Sequence, residues 1–314
     1  MTLQTTASAG LTPEMKVYYD RRLLARALPE LVHARFGQRR GIPKRGGKTV
    51  EFRKFATLGV SKTPLTEGTP PAGQSASVSS ITATVEQYGD AIFFSDLVST
   101  TTIDPLLEEF TDLLAEQAAE SIDEIIRDVM ITGTNVIYGG SGNTATNQVA
   151  AGDDMTVALI RLAVLTLVQG RAKKINGAWQ AIISPEVAHD IQGTSEWRDA
   201  QIGGERTGRV EDGSMGMLYG VKFWVTDKAY VAADGTTSAE VHRSLFLGAN
   251  AYGIVDLAGH NLQSIFKPLG SAGSADPLNQ KGSMGWKSTF TARILNDAYL
   301  VRVETTASQA SAQL

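Results

Sequence analysis

The residues first worth testing for chemistry are the GGKT ending of GIPKRGGKT (41–49), four histidines, and a crowd of carboxylates between 104 and 130. A Gly-Lys-Thr ending is what a phosphate-binding loop uses, with backbone amides and a lysine on the phosphates. That loop needs four residues between its first glycine and the Gly-Lys pair, and here five separate Gly41 from Gly47. It must also open a helix, whose N-terminus meets the phosphate. The residues that follow, VEFRKFA, alternate as a strand does. Gly46-Gly47 therefore reads as a turn entering a strand. His33, His189, His242 and His260 have no metal-ligand spacing and no HExxH, so each reads as a surface or core residue. No GxSxG elbow, GxGxxG fingerprint or EF-hand loop is present. Asp123 with Glu120 or Glu124 would pair carboxylates on a helix, as acid–base catalysis requires. A charge run of this kind is first of all a solvated or partner-facing helix surface. The chain has no cysteine, which excludes disulfides, thiolate metal sites and cysteine nucleophiles and fits a reducing compartment. No motif calls for a metal or a cofactor, and nothing argues for an enzyme.

The elements that would hold any site are easier to read. The chain has 314 residues, 42% hydrophobic and 20% charged, enough apolar material for one large or two moderate domains. No run of eighteen apolar residues offers a membrane span, and the N-terminus lacks the basic and apolar regions of a secretory signal. Residues 11–36 predict two short helices or a kinked one, opened by Thr12-Pro13, interrupted by Pro29, with Leu24, Leu28, Leu31 and Val32 at helical spacing. Val50 and Phe52 in 48–56, and Ile81, Ala83 and Val85 in 78–95, alternate as strands. Together the two segments predict a long hairpin whose tip is KTPLTEGTPPAGQS (62–75). Ordinary hairpin loops are about two to five residues, so a tip this long is either disordered or functional. Pro64, Pro70 and Pro71 stiffen it and withhold amide hydrogens, which blunts edge pairing.

Residues 104–132 predict a helix of about eight turns, capped by Asp104, opened by Pro105 and closed at Gly133. Leu106, Phe110, Leu113, Leu114, Ile122, Ile125, Ile126, Val129 and Met130 form its expected apolar face. After the flexible stretch 139–153 comes a mixed α/β unit: MTVALIRLAVLTLVQ a helix, WQAIIS a buried strand, a helix opened by Ser184-Pro185, GVKFWVT a strand, and HRSLFLGANAYGIVDL a strand or hairpin. Residues 261–314 return to β structure, and SQASAQL at the end should be loose. Trp179, Trp197, Trp224 and Trp286 fall in strand or helix patterns and read as core or interface residues.

Charge is unevenly spread. Residues 1–62 carry thirteen basic and four acidic residues, a net +9, whereas 104–130 carry nine acids against Arg127, a net −8. Such asymmetry suggests a basic arm with an anionic partner, either nucleic acid or an acidic face on a neighbouring copy; otherwise the two are solvated faces.

The order of these parts is that of a known fold. YYDRRLLARALPELV, IPKRGGKTVEFRKFATLGVSKTPLTEG, VEQYGDAIFFSD, QAAESIDEIIRDVMITGTNVIYGG and GWKSTFTARILNDAYLVRVETTAS resemble one group of tailed-bacteriophage major capsid proteins, over nearly the whole chain and least at 185–260. The resemblance implies the α+β coat-protein (Johnson) fold shared by tailed phages and herpesviruses. It implies an N-terminal arm (1–45), an extended hairpin loop (46–95), and a peripheral domain (96–151 and 259–314) built on the spine helix. An axial domain (152–258) would lie near hexamer and pentamer centres. In that family the hairpin reaches over a neighbouring subunit, which makes Pro64, Leu65, Thr66, Glu67, Pro70 and Pro71 the expected intersubunit contacts. Arg39, Arg40, Lys44 and Arg45 are the expected arm contacts. The implied function is self-assembly as hexamers and pentamers into an icosahedral shell around double-stranded DNA, formed in the bacterial host cytoplasm. The implied partners are further copies of the chain, a scaffolding protein, a portal, the packaged DNA held non-specifically, and a decoration protein. Two alternatives remain at this stage: an encapsulin-like compartment of the same fold, marked by small uniform shells holding cargo, and a soluble α/β enzyme, marked by a deep pocket with converging polar groups.

Overall fold

The computed structural model describes residues 31–309 apart from 44, 57, 65–66, 69, 71–72, 102–105, 203–213, 258–261 and 272–275. The chain enters through β1 (Gln38–Ile42), β2 (Thr49–Phe55), β3 (Val78–Thr84) and β4 (Glu86–Ser95), then the helices α1 (Asp96–Thr101) and α2 (Leu106–Met130). After β5 (Val136–Tyr138) come α3 (Val157–Gln169), β6 (Trp179–Ile183), α4 (Pro185–Gly193) and α5 (Ser195–Ile202). The remainder is β7 (Ser214–Leu218), β8 (Val221–Val225), β9 (Val231–Ala232), β10 (Val241–Leu247), β11 (Tyr252–Leu257), β12 (Gln263–Lys267), β13 (Lys281–Ile294) and β14 (Leu300–Thr305).

Three sheets result. One has five strands, in the order β1-β11-β13-β12 with β4 also on β13. The second has seven, in the order β5-β14-β10-β6-β8-β7 with β9 on β10, and β2 and β3 form the third alone. After a first passage through α2, from β4 to β5, the chain crosses between the two large sheets twice more, after β10 and after β13. These last two crossings run side by side, with Gly248 N–H bonding Tyr299 O at 2.8 Å and Leu295 N–H bonding Ala251 O at 2.9 Å. The stretch HRSLFLGANAYGIVDL is thus neither one strand nor a hairpin, since its halves belong to different sheets. Likewise β14, expected with the C-terminal return beside the spine helix, pairs with β10 over His242–Leu247. The boundary expected near 258 therefore does not divide the sheets.

Helix α2 is about 37 Å long at 1.5 Å per residue. Its first half lies on the five-stranded sheet, where Leu114, Ala115 and Ala118 pack against Met284 and Trp286. Its last turns reach the junction of both sheets. There Ile126 and Met130 meet Ile182, Leu245 and Leu300 from one sheet and Tyr252, Ile254 and Phe290 from the other. Phe110, Ile122, Ile125 and Val129 are partly buried as expected. Leu113 is not: it is 55% exposed, and the buried stripe runs instead through Ala115, Ala118 and Ala119. Small side chains let the helix lie close to the sheet, and the closest approach falls one helical position away from the leucine. Leu106 opens the helix, and Asp104 and Pro105 lie outside the described residues. Gly133 bonds back to Met130 O at 3.2 Å, and a Cβ there would meet Leu300 Cδ2 at 2.8 Å. The Leu300 side chain at the start of β14 occupies the space a larger residue would need there. The opposite face of the seven-stranded sheet carries α3, α4 and α5 over a core that includes Ile160, Leu167, Val187, Ile191, Trp197, Phe223 and Phe246. Ser184 caps α4 and Pro185 opens it, as expected.

The N-terminal helices expected over 11–36 fall mostly outside the described residues. Residues 31–37 form turns. They dock on α2 because His33 is buried there: its N–H bonds Asp123 Oδ1 at 2.7 Å and its Nδ1 lies 2.5 Å from Asp123 Oδ2. The hydroxyl of Tyr252 donates to His33 O from the other side, and burial raises the Tyr252 pKa well above the phenol range.

Candidate assembly surfaces

Strands β2 and β3 pair from Thr49↔Thr84 to Phe55↔Val78. The base of this hairpin is anchored by Phe52, Ala83 and Val85, which are buried with Ile42 and Val255. Beyond Val85 the second limb leaves the hairpin, and β4 pairs along β13 from Phe290↔Glu86 to Lys281↔Ser95. The expected single limb over 78–95 is therefore two strands in two sheets. Its inward residues are odd-numbered up to Val85; beyond it Tyr88 and Ile92 pack inward toward α2. That change of phase is the local signal of the bend.

Outward from its base the hairpin loses contact with its own chain. Phe55, Leu58, Val60 and Val78 are 70%, 54%, 77% and 52% exposed. Ala56 N–H bonds Ser77 O at 2.9 Å and the Gln74 side chain bonds Gly59 O at 3.0 Å, so the limbs stay together past the last ladder pair. Pro64, Glu67 and Pro70 are exposed at the tip, and Leu65, Thr66 and Pro71 lie outside the described residues. A polar tie from Lys54 Nζ to Asn296 Oδ1 at 2.9 Å joins the hairpin to the body. A cleft of about 830 Å³ opens in that angle, lined by Arg40, Phe52, Arg53, Lys54, Leu295 and Asn296 among others.

The arm residues serve this base. β1 runs parallel to β11 from Gln38↔Gly253 to Ile42↔Leu257. Arg40 donates to Glu51 O at 3.0 Å and lies over the Phe52 ring at 5.3 Å. Arg39 donates to Ala34 O at 3.4 Å. Arg45 is exposed, in the turn of Gly46 N–H to Pro43 O that leads into β2, and Lys44 lies outside the described residues. The GGKT segment thus enters a strand, as a phosphate loop does not.

The groups with chemical potential do not converge. Asp123 is bound to His33, Glu120 reaches Lys228 at 2.9 Å, and Glu124 reaches Arg127 at 3.4 Å. The Glu120 contact holds the Lys228 pKa above its usual range. His242 lies 2.9 Å from Ser184 Oγ and 3.8 Å from Glu186, a serine–histidine–carboxylate grouping. Both partners meet the same ring nitrogen, Nδ1, whereas nucleophile activation needs one partner on each nitrogen. Ser184 is also 2% exposed and occupied as a helix cap. His189 is exposed beside Asp190, and His260 lies outside the described residues. Among the described residues no three His, Cys, Asp or Glu side chains are grouped to hold a metal ion.

What the structure presents is thus a body with a projecting, apolar-flanked hairpin. The fold is shared with solved phage capsids. The capsid of Ralstonia phage GP4 aligns at a TM-score of 0.68 with 14% identity, covering 88% of this chain and 89% of that one. The capsid of cyanophage P-SCSP1u aligns at 0.66 with 15% identity, over 88% and 89%. That of cyanophage Pam1 aligns at 0.66 with 16% identity, over 93% and 94%. No curated protein matches the chain. The family model described as phage capsid protein matches residues 78–303, the span from β3 into β14. By that match the chain belongs to the phage capsid protein family and is a structural subunit of a phage shell.

Proposed function

We propose that this capsid subunit assembles as hexamers and pentamers into an icosahedral shell around double-stranded DNA, with the β2–β3 hairpin laid over a neighbouring copy. The observation that carries the reading is the exposure of Phe55, Leu58, Val60 and Val78 on an element whose buried apolar residues, among those described, lie at its base. Apolar side chains in such a row on a projecting ribbon suit a partner surface. Pro64, Leu65, Thr66, Glu67, Pro70 and Pro71 would then meet that neighbour. The five-stranded sheet with α2 serves as the peripheral domain, and the seven-stranded sheet with α3 to α5 as the axial one. Arg39, Arg40 and Arg45 lie at the root of the hairpin and, with Lys44, would set its course toward the neighbour. A scaffolding protein, a portal and a decoration protein fit the same reading, as does assembly in the host cytoplasm. The family matched points to a structural rather than a catalytic role for the subunit. The encapsulin-like alternative shares the fold, but the family matched is that of phage capsid proteins.

The test is deletion of residues 63–74 with the limbs joined by Asn-Gly, a two-residue turn that suits an antiparallel pair. The isolated subunit should keep its circular dichroism and melt within a few degrees of wild type, because the core residues at the hairpin base are untouched. Closed shells should be lost in electron micrographs. Normal shells from the deletion variant would make the tip a mere connection.

A further inference from the structure

Residues 306–309, directly after β14, do not trail away from the body, although looseness is expected from Ser308 on; 310–314 lie outside the described residues. Thr306 bridges to Asp154, donating from its N–H to Asp153 O at 3.1 Å and from Oγ1 to Asp154 Oδ1 at 2.8 Å. Two residues on, Ser308 N–H bonds Asp190 Oδ2 on α4 at 2.9 Å, and its hydroxyl bonds Oδ1 of the same carboxylate. The segment 306–309 is therefore tied at both ends across the gap between α4 and the residues that lead into α3. Beneath it lies a cavity of about 210 Å³, lined by His242, Glu240, Thr306, Ala307 and Gln309 among others. His242 is 1% exposed and lines this cavity together with Thr306, Ala307 and Gln309 of the segment.

We propose that residues 306–309 are an acid-released strap, held closed while His242 is neutral and freed when that imidazole takes a proton. The geometry gives the reason. Ser184 Oγ lies 2.9 Å from Nδ1 and accepts from Val187 N–H, so the neutral ring is satisfied at that nitrogen in either tautomer. A second proton on the ring puts a full charge in a buried site that, among the described residues, has no hydrogen-bonded counter-ion. The charged groups around it are Glu186 and Asp190 on α4, Asp154 ahead of α3, and Glu240 just before β10. Glu186 is 3.8 Å away, outside hydrogen-bonding reach. Arg243, Arg302 and Glu304 are bound to one another on the adjoining strands. Burial outweighs the four carboxylates and lowers the His242 pKa. The sign follows: a group whose folded-state pKa is depressed contributes stability above its unfolded value and loses it as pH falls. Opening lets water reach the ring, so acid favours the open strap. Below the ordinary imidazole range the open-to-closed ratio should grow by up to roughly tenfold per pH unit. Ser308 and Asp190 set how much opening must be overcome.

The chain has no cysteine, so Ala307→Cys supplies a single thiol under the strap. Its reaction with a dipyridyl disulfide, which proceeds in acid, is followed from about pH 8 to about pH 5 and divided by the rate of the urea-unfolded chain at each pH. The normalised rate should be low and flat down to the imidazole range, then climb at least tenfold while near-ultraviolet circular dichroism stays native. His242→Asn, which can keep a bond to Ser184 but cannot take a proton, should remove the climb. Asp190→Ala should raise the rate at every pH. A flat profile in the Ala307→Cys chain, a climb that coincides with global unfolding, or the same climb with His242→Asn overturns the proposal. If His242→Asn does not fold, His242→Gln takes its place, and the profile of the His242 chain is by itself decisive against the strap if flat. None of these readouts depends on shell formation.

Discussion

Leu114→Asp should abolish soluble expression, while Leu113→Asp one residue earlier should leave a folded protein. Leu114 is 2% exposed and packs with Ala115, Ala118, Met284 and Trp286. A carboxylate there is an unpaired buried charge, at a cost of several kcal/mol, roughly the whole net stability of a domain. Protonation would relieve part of that cost and still leave a polar group without a partner. Leu113 is 55% exposed, and an aspartate at that position stays in water. The measurement is soluble yield with a urea melt of whatever is soluble. Equal tolerance of the two would mean that the buried face of α2 is not the alanine-lined one.

The second large effect is expected at Glu304, in the middle of the seven-stranded sheet. It is fully buried on β14, with Arg302 Nε at 2.8 Å and Arg243 Nε at 3.4 Å. Arg243 has a further partner in Asp234 and stacks on Tyr230, with its guanidinium 4.4 Å from the ring centroid. Glu304→Ala removes the charge that both guanidiniums share and opens a gap beside them. Breaking one partner out of a buried ion pair costs about 3–5 kcal/mol. The lower figure applies here, because Arg243 keeps Asp234 and both arginines are slightly exposed. A urea melt should show the loss as a lower midpoint with little change in slope. Arg293→Ala, on an exposed position of β13, should shift the midpoint hardly at all. A midpoint for Glu304→Ala equal to wild type would place that carboxylate outside the energetics of the sheet.

Much of this architecture is written in local periods. The alternation of Val50, Phe52, Ile81 and Ala83 states the hairpin, and the 3.6-residue recurrence over 106–130 states the long helix. Ser184-Pro185 states the start of α4. What the periods do not carry is which element a face meets. Leu113 satisfies the apolar pattern of α2 as well as Ala115 does, yet the sheet approaches where side chains are small. The bend at Val85 left a trace, a shift from odd to even inward residues, which is legible once sought. The separation of β10 from β11, and the return of β14 to pair with β10, left none, because strand partners are chosen by long-range packing. His33 and Asp123 are ninety positions apart, and nothing near either one announces the other. The hairpin tip was legible as an anomaly of length and composition. Its partner surface is not a property of one chain, so only the family resemblance could suggest a neighbouring copy.

The claim on which the account rests is that the chain is a shell subunit whose folded form is completed by other copies of itself. The direct test is electron microscopy of the purified full-length chain, beside light scattering over a range of concentration and salt. Rings, sheets or closed shells are expected at micromolar concentration, with the monomer a minor species. A monodisperse monomer at every concentration and salt would contradict it.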